Sequence, residues 1–287
     1  MRLSGHGRIA GVVGWPVAHS LSPLLHGFWL HEYGVDGAYT PLPVRRHEFS
    51  MALSGLARSG FVGLNITVPH KEAAFALADE CDRAATATGA ANIILFCEDR
   101  VRAKNSDVEG LATSLAEELG ADAIRGETVA ILGGGGASRA AILACDSLGA
   151  RAIHLLNRTP ARAKGVAELL AAHVSATVTS NSLDQWLARA PTARLVINAT
   201  SAGMTGSASP AISLDPLPRD AAVCDLVYNP LETPLLSDAK KRGLRVIDGL
   251  GMLMHQAVPA FESFYGIRPK VSASLRAHLE GALRGRA

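Results

Sequence analysis

The residues Thr128-Val129-Ala130-Ile131-Leu132 run directly into Gly133-Gly134-Gly135-Gly136-Ala137-Ser138-Arg139-Ala140, and no other stretch restricts the fold as strongly. An unbroken apolar run bounded by glycines suits a strand buried on both faces, and the alanine-rich run Ala137–Leu148 suits a helix. Glycine lets a backbone approach a pyrophosphate closely, and the first turn of a helix offers its free N–H groups to the anion. Strand, glycine-rich turn and helix in that order form the opening unit of a dinucleotide-binding domain. Gly133, Gly134, Gly135, Gly136 and Ala137 are the expected phosphate contacts. The competing reading is a plain flexible turn, for which four consecutive glycines carry a large entropic cost.

The next apolar run, Ala152–Leu156, ends at Asn157-Arg158-Thr159, roughly 20 residues beyond the glycines, where an NAD-selective site places Asp or Glu against the ribose 2′-hydroxyl. This chain has no acid there; Arg158 and Arg162 flank the position instead. A guanidinium can bind a 2′-phosphate through paired hydrogen bonds, whereas a carboxylate would repel it. The expected cofactor is NADP(H), held by Asn157, Arg158, Thr159 and Arg162. Solvent-facing arginines at a helix start are the alternative.

Short apolar runs alternate with helical patterns along the whole chain, which indicates α/β architecture. Strands are expected at Arg8–Val13, Gly37–Pro41, Gly63–Val68 and Asn92–Phe96, then at Thr128–Leu132, Ala152–Leu156, Ala176–Thr179, Leu195–Asn198, Ala222–Asp225 and Arg245–Ile247. Helices are expected at Gly110–Leu119, Ala137–Leu148, Arg162–Ala172, Met252–Tyr265 and Ser272–Leu283. At 287 residues the chain accommodates two domains. The expected division is a first domain over 1–108, with 249–287 returning to it, around a nucleotide domain over 109–248.

A net charge of +2 leaves no basic stripe for nucleic acid. Cys81, Cys97, Cys145 and Cys224 are far apart in apolar settings, with neither metal nor disulfide spacing, so buried reduced thiols are expected and no metal. The N-terminus lacks the apolar run of a signal peptide, and no stretch approaches the ~20 apolar residues of a membrane span. A cytoplasmic protein with a small-molecule substrate and no membrane partner is expected, as a monomer or homodimer.

Gly63-Leu-Asn-Ile-Thr-Val-Pro-His-Lys71 brings unlike polar groups to one place. Asn65 and Thr67 alternate with Leu64, Ile66 and Val68, and Pro69 ends the strand, so that Lys71 begins a helix. An amide, a hydroxyl and an ammonium then meet at a sheet end, where open α/β folds bind polyhydroxylated ligands. A solvated edge strand is the other reading. Ser22-Pro23 reads as a helix N-cap with proline in the first turn, as does Thr233-Pro234. Asn198 and Thr200 close a strand and suit the turn. His19, His26, His70 and His255 lack triad or metal spacing, and Asp248 beside Gly249 reads as structural.

With these pieces placed, the chain resembles the shikimate dehydrogenase family over nearly its whole length. The resemblance is carried by Gly14–Pro23, Gly63–Lys71, Gly89-Ala90-Ala91-Asn92, Asn105-Ser106-Asp107, the glycine loop, Asn157-Arg158-Thr159, Asn198–Met204, Asp225–Pro230 and Gly251–Ala257. It implies a two-domain α/β enzyme, with an N-terminal substrate domain, a Rossmann-like NADP-binding domain and C-terminal helices returning to the first. It implies reversible reduction of 3-dehydroshikimate to shikimate in aromatic amino-acid biosynthesis. It assigns substrate contacts to Ser20, Ser22, Asn65, Thr67, Lys71, Asn92, Asp107, Tyr228 and Gln256, with Lys71 and Asp107 as the catalytic pair. Cofactor contacts extend to Thr200, Met204, Leu226 and Gly249, in segments lining the nicotinamide side with Tyr228 and Gly251.

The residue types suit that chemistry. An ammonium at Lys71 can deliver a proton to a developing alkoxide, a carboxylate at Asp107 can orient it, and Ser20 and Ser22 can donate to a substrate carboxylate. Three positions depart from the family pattern: Gly27 where Asn is frequent, Ser106 where Thr is usual, and Phe264-Tyr265 in place of Trp-Thr. Rival readings are a quinate/shikimate or aminoshikimate dehydrogenase and a non-catalytic nucleotide sensor. A glutamyl-tRNA-reductase-like enzyme would need a nucleophilic cysteine and a basic face, and neither is evident.

Overall fold

The computed structural model describes residues 3–98 and 100–285. The chain divides into two compact units, residues 1–106 with 256–282 and residues 107–255 with 283–287. The boundaries expected at 108/109 and 248/249 thus lie a few residues away, the second of them inside a helix whose periodicity continues across the division.

The first unit comprises β1 (Arg8–Gly14), α1 (Ser22–Glu32), β2 (Gly37–Pro43), α2 (Phe49–Arg58), β3 (Phe61–Ile66), α3 (Lys71–Ala76), β4 (Glu80–Cys81), α4 (Arg83–Thr88), β5 (Ile93–Cys97) and β6 (Arg100–Lys104). Its sheet has the order β2-β1-β3-β5-β6-β4. The β2-β1-β3 half is parallel, whereas β5 is antiparallel to both β3 and β6. Neither β4 nor β6 is legible from the sequence. β4 has two residues, and β6 reads Arg-Val-Arg-Ala-Lys because its outward face is cationic. Arg100 and Arg102 there pair with Glu80 of β4 at 2.7 and 2.8 Å. Beyond its expected start at Ser22-Pro23, α1 is not legible either, since its apolar residues are spread around it without a stripe.

One face of this sheet packs Val13, Phe49, Leu53, Ile66, Ala74 and Ile94. A second, aromatic cluster contains His26, Trp29 and Tyr39 with Phe261, Phe264 and Tyr265. Tyr265, one of the departures from the family pattern, donates from its hydroxyl to the Ala38 carbonyl at 2.9 Å and so ties the last long helix to β2, an edge strand.

The second unit comprises α5 (Asp107–Leu119), β7 (Thr128–Leu132), α6 (Gly136–Ser147), β8 (Ala152–Asn157), α7 (Pro160–Leu170), β9 (Thr177–Ser182), α8 (Trp186–Arg189), β10 (Ala193–Asn198), β11 (Ala222–Asp225), α9 (Pro234–Lys241) and β12 (Arg245–Ile247). Two further helices, α10 (Gly249–Tyr265) and α11 (Ala273–Arg284), each contribute residues to both units. The sheet order β12-β11-β10-β7-β8-β9 is wholly parallel and is the doubly wound dinucleotide-binding order. Val129 and Ile131 face one core and Ala130 and Leu132 the other, which is why β7 reads as an unbroken apolar run.

All four cysteines are free thiols, but only Cys145 and Cys224 are buried; Cys81 and Cys97 are partly exposed, against the uniformly buried setting expected. Burial pushes the Cys145 thiol up to about 12. No helix among the described residues is long and apolar enough to cross a membrane.

His26 is fully buried, and burial pushes its pKa down to about 3. Between that value and the ordinary one near 6.5 the unfolded chain binds a proton that the folded chain refuses. Stability therefore falls with falling pH, by about 1.4 kcal/mol per pH unit at most. His26→Phe removes this dependence. The unfolding free energy of the variant relative to wild type should rise by about 2 kcal/mol between pH 7.5 and pH 5 in urea titrations. An equal difference at both pH values would contradict the assignment.

Candidate functional site

In the first unit the polar residues gather at one sheet end because of strand direction. β1 and β3 finish there, β5 starts there, and β6 returns to it. Asn65, next to last in β3, stands opposite Ile93, the first residue of β5, which pairs in turn with Lys104 at the end of β6. Asn92 and Ser106 consequently fall beside Asn65. The Asn65 amide donates to the Asn92 carbonyl at 3.2 Å. Asn92 donates through Nδ2 to Gln256 Oε1 at 3.2 Å and accepts from the Ser106 backbone N–H at 2.8 Å. The Ser106 hydroxyl donates to the Gln256 carbonyl at 2.7 Å, so the serine at this departure from the family pattern keeps a working hydroxyl.

The loop after β1 supplies Ser20 and Ser22. Ser22 is not the N-cap expected: Leu21 holds that position, Ser22 begins α1, and no side chain caps the turn. Ser20 Oγ instead accepts the Ser22 N–H at 3.2 Å. Ser22 is buried in the first turn of α1, beside Tyr39. Tyr39 in turn donates to Asn65 Oδ1 at 2.7 Å. Sequence reasoning missed Tyr39, which lies on β2 and joins residues on two other elements.

Beyond β3, Thr67 donates its N–H to the Val13 carbonyl at 2.9 Å, and α3 begins at Lys71 as expected. The Lys71 carbonyl accepts from the Ala91 N–H at 2.9 Å, which anchors its backbone next to Asn92. Val68 departs from the expected alternation. The ladder ends at Ile66, so Val68 is 69% exposed rather than in the core. Buried His70 bonds the Val44 carbonyl at 2.8 Å and stacks on Phe49. Asp107 is buried and opens α5 in the second unit.

In the second unit the glycine loop joins β7 to α6. Gly133 adopts φ 133°, and a Cβ there would stand 2.5 Å from Ser138 Oγ. Around Gly135 and Gly136 the space is open, and the first turn of α6 follows immediately. The position beside Gly134 is occupied by Asn157 and Arg162, 3.1 and 3.0 Å from where a side chain would begin. Asn157 donates to the Thr159 carbonyl at 3.0 Å, and Thr159 precedes Pro160 at the start of α7. Arg158 is exposed and lines a cavity of about 470 Å³ with Ser182, Asp184, Trp186 and Ile212. An open glycine cradle at a helix start, flanked by two arginines, fits a dinucleotide carrying an additional phosphate.

After β10 the side chains are occupied internally. Thr200 donates to Asn198 Oδ1 at 2.7 Å and accepts the Ala202 N–H at 3.0 Å, which is the turn role expected for both. Asn198 donates to Asp225 Oδ1 at 2.8 Å. Met204 is partly exposed, while the Leu226 N–H donates to the Asn198 carbonyl at 3.0 Å. Gly249 opens α10 against the Leu226 carbonyl, an approach any side chain would block. Asp248 Oδ1 accepts the Leu250 N–H at 3.0 Å at the start of that helix. Tyr228 follows β11 and is half-buried, and His255 pairs with Glu117 at 2.8 Å.

A parallel sheet in this order, with a glycine cradle and arginines at the strand ends, defines a protein with a Rossmann-type dinucleotide-binding domain. Residues 12–94 match the model of the shikimate dehydrogenase substrate binding domain. The chain is 47% identical over 279 residues to the NADP(+) shikimate dehydrogenase of Methylobacterium radiotolerans, covering 96% of this chain and 98% of that one. It is 34% identical to shikimate 5-dehydrogenase from Thermus thermophilus, solved in complex with NADP(H) and shikimate, with TM-score 0.83 over 98% of this chain and 100% of that one. Quinate dehydrogenase from Corynebacterium glutamicum, in complex with NAD, is 28% identical with TM-score 0.88, over 96% and 99%. The chain belongs to the shikimate dehydrogenase family.

Thr233 shows how tightly the second unit holds its strand ends. Its hydroxyl donates to Asp225 Oδ2 at 2.7 Å and accepts the Leu236 N–H at 3.3 Å as the cap of α9, the role expected of it. Burial raises the Asp225 carboxyl, and hydrogen bonds from Thr233, Val227 and Asn198 oppose that shift. Thr233→Val removes a cap and a buried donor together and should cost about 2–3 kcal/mol in urea unfolding. A loss below about 0.5 kcal/mol, the level of an ordinary surface change, would show that neither bond matters.

Proposed function

We propose that this protein interconverts 3-dehydroshikimate and shikimate with NADP(H). The observation that carries the proposal is the hydrogen-bonded set Ser20, Ser22, Asn65, Asn92 and Gln256 at one end of the first sheet, with Lys71 opening the helix that follows. Uncharged donors and acceptors in that density suit a polyhydroxylated ring, and a free hydroxyl proton on Ser20 suits its carboxylate. The cofactor, when bound, supplies the hydride.

Lys71 then has one task, to deliver a proton to the alkoxide oxygen and to accept it in the reverse direction. Asp107 orients the ammonium and accepts a hydrogen bond from a substrate hydroxyl. Thr67 and Tyr228 complete the substrate contacts. The cofactor phosphates would be held by Gly133–Ala137, with Asn157, Arg158, Thr159 and Arg162 at the 2′-phosphate and Met204, Leu226 and Gly249 toward the nicotinamide. The free thiols support a reducing compartment, the cytoplasm, as its location. It works as a monomer or homodimer.

Nicotinamide absorbance with shikimate or quinate, and NADP⁺ or NAD⁺, tests the reading. Shikimate with NADP⁺ should be the productive pair, and activity confined to quinate and NAD⁺ would reject it. Lys71→Ala should lower kcat by about 10²–10⁴-fold, the range for loss of a general acid. Arg158→Ala should raise the KM for NADP⁺ by about 10–100-fold while leaving that for NAD⁺ unchanged, as the loss of a charge-assisted phosphate contact requires. Equal effects on the two cofactors would remove Arg158 from the 2′-phosphate.

A further inference from the structure

Tyr39 lies on β2, yet the residues it holds belong to α1 and β3. In the sheet register Tyr39 stands opposite Ala10 and Asn65 opposite Val12. Laterally paired residues share a face, so the phenol crosses β1 on that face to reach Asn65. Its ring is stacked on His26 with centroids 3.9 Å apart and planes 5° from parallel. Neither ring nitrogen of His26 has a hydrogen-bond partner among the described residues, and burial keeps the imidazole neutral. His26 is a flat wall that fixes the plane of the phenol.

The hydrogen-bond arithmetic then has one solution. Asn65 Nδ2 donates to the Asn92 carbonyl, so the amide oxygen must be the end that faces Tyr39. A phenol has a single proton, and here it goes to Asn65 Oδ1. One hydroxyl thus sets the polarity of the amide. Asn65 is left with a remaining amide N–H.

We propose that Tyr39 is a positioning residue whose hydroxyl fixes which end of the Asn65 amide meets the substrate, and thereby sets affinity for the substrate ring. The inference rests on the functional reading above, in which Ser22 and Asn65 hold shikimate. Tyr39 touches neither the reacting carbon nor the cofactor residues, so its loss is felt in substrate binding alone.

Tyr39→Phe keeps the ring and the stack on His26 and removes only the oxygen. The wild-type enzyme is assayed first with shikimate and NADP⁺; inactivity there overturns the functional reading and this assignment with it. With an active wild type, Y39F should raise the KM for shikimate about tenfold, the scale of one lost charge-free hydrogen bond with its partner left buried. Its kcat should stay within about threefold and its KM for NADP⁺ within about twofold, as uniform substrate binding requires. In an Asn65→Ala background the same change should have less than about a twofold further effect on the KM for shikimate, because coupled residues are non-additive.

A shikimate KM unchanged by Y39F, equal rises for shikimate and NADP⁺, or fully multiplicative effects in the double variant would each overturn the role of Tyr39 while leaving the reaction intact. Should Y39F fail to fold, Asn65→Asp serves instead. It keeps an acceptor for the phenol but lacks the outward N–H, and must show the same KM rise without loss of NADP⁺ affinity. A shikimate KM for N65D within about twofold of wild type overturns the proposal.

Discussion

Asn92 is the residue on which the geometry of the first unit turns. Its backbone N–H donates to the Lys104 carbonyl at 3.0 Å, and its own carbonyl accepts from the Ile66 N–H at 2.8 Å. Its side chain meets Ser106 and Gln256, and its carbonyl also takes the Asn65 amide. Three other segments, around residues 65–66, 104–106 and 256, are thereby fixed to one point that is 2% exposed. A buried amide left unpaired costs about 1–3 kcal/mol, and removing any one partner leaves several. Such a network holds as a whole or not at all, so the side chains proposed to meet the substrate cannot drift independently of one another.

The second unit solves a similar problem with a carboxylate. Asp225, fully buried, accepts from Asn198, Val227 and Thr233, and these bonds bind the ends of β10 and β11 to the start of α9. Because Asn198 and Thr200 spend their hydrogen bonds inside the turn, they have little left for a ligand. The contacts proposed for a dinucleotide are the backbone of the glycine cradle and the guanidinium groups beside it. Binding by backbone N–H and by exposed arginine places few demands on side-chain packing, and the open space around Gly135 and Gly136 reflects this.

How much of this is legible in sequence follows from which interactions are local. β7 and β11 are readable to the residue, because burial on both faces gives a nearly unbroken apolar run. β6 is not, since its arginines are explained only by Glu80, which lies 20 residues away. Ser22 resembles a cap in sequence, but the turn begins one residue earlier, at Leu21, and Ser22 lies inside the helix. Tyr39 itself leaves no pattern, for its partner is 26 residues distant and on a strand that is not its neighbour in the sheet. The boundary near residue 256 is hidden for the opposite reason: α10 continues without a break while its contacts pass from one unit to the other.

These two sets of contacts differ in kind, and the difference explains the residue types. In the first unit the proposed substrate contacts Ser22, Asn65 and Asn92 are buried and uncharged. A neutral amide or hydroxyl can be taken out of water cheaply if each is paired, whereas a buried guanidinium would need a permanent counter-charge. Specificity for a small ring therefore rests on directed neutral hydrogen bonds, whose polarity must be set from behind, as by Tyr39. In the second unit Arg158 is exposed and needs no such support. In its proposed role at the 2′-phosphate it would contribute a charge to a ligand that carries its own, while solvent bears the cost of leaving it unpaired. Buried neutrality for the substrate and exposed charge for the cofactor are thus two consequences of one rule about what can be removed from water.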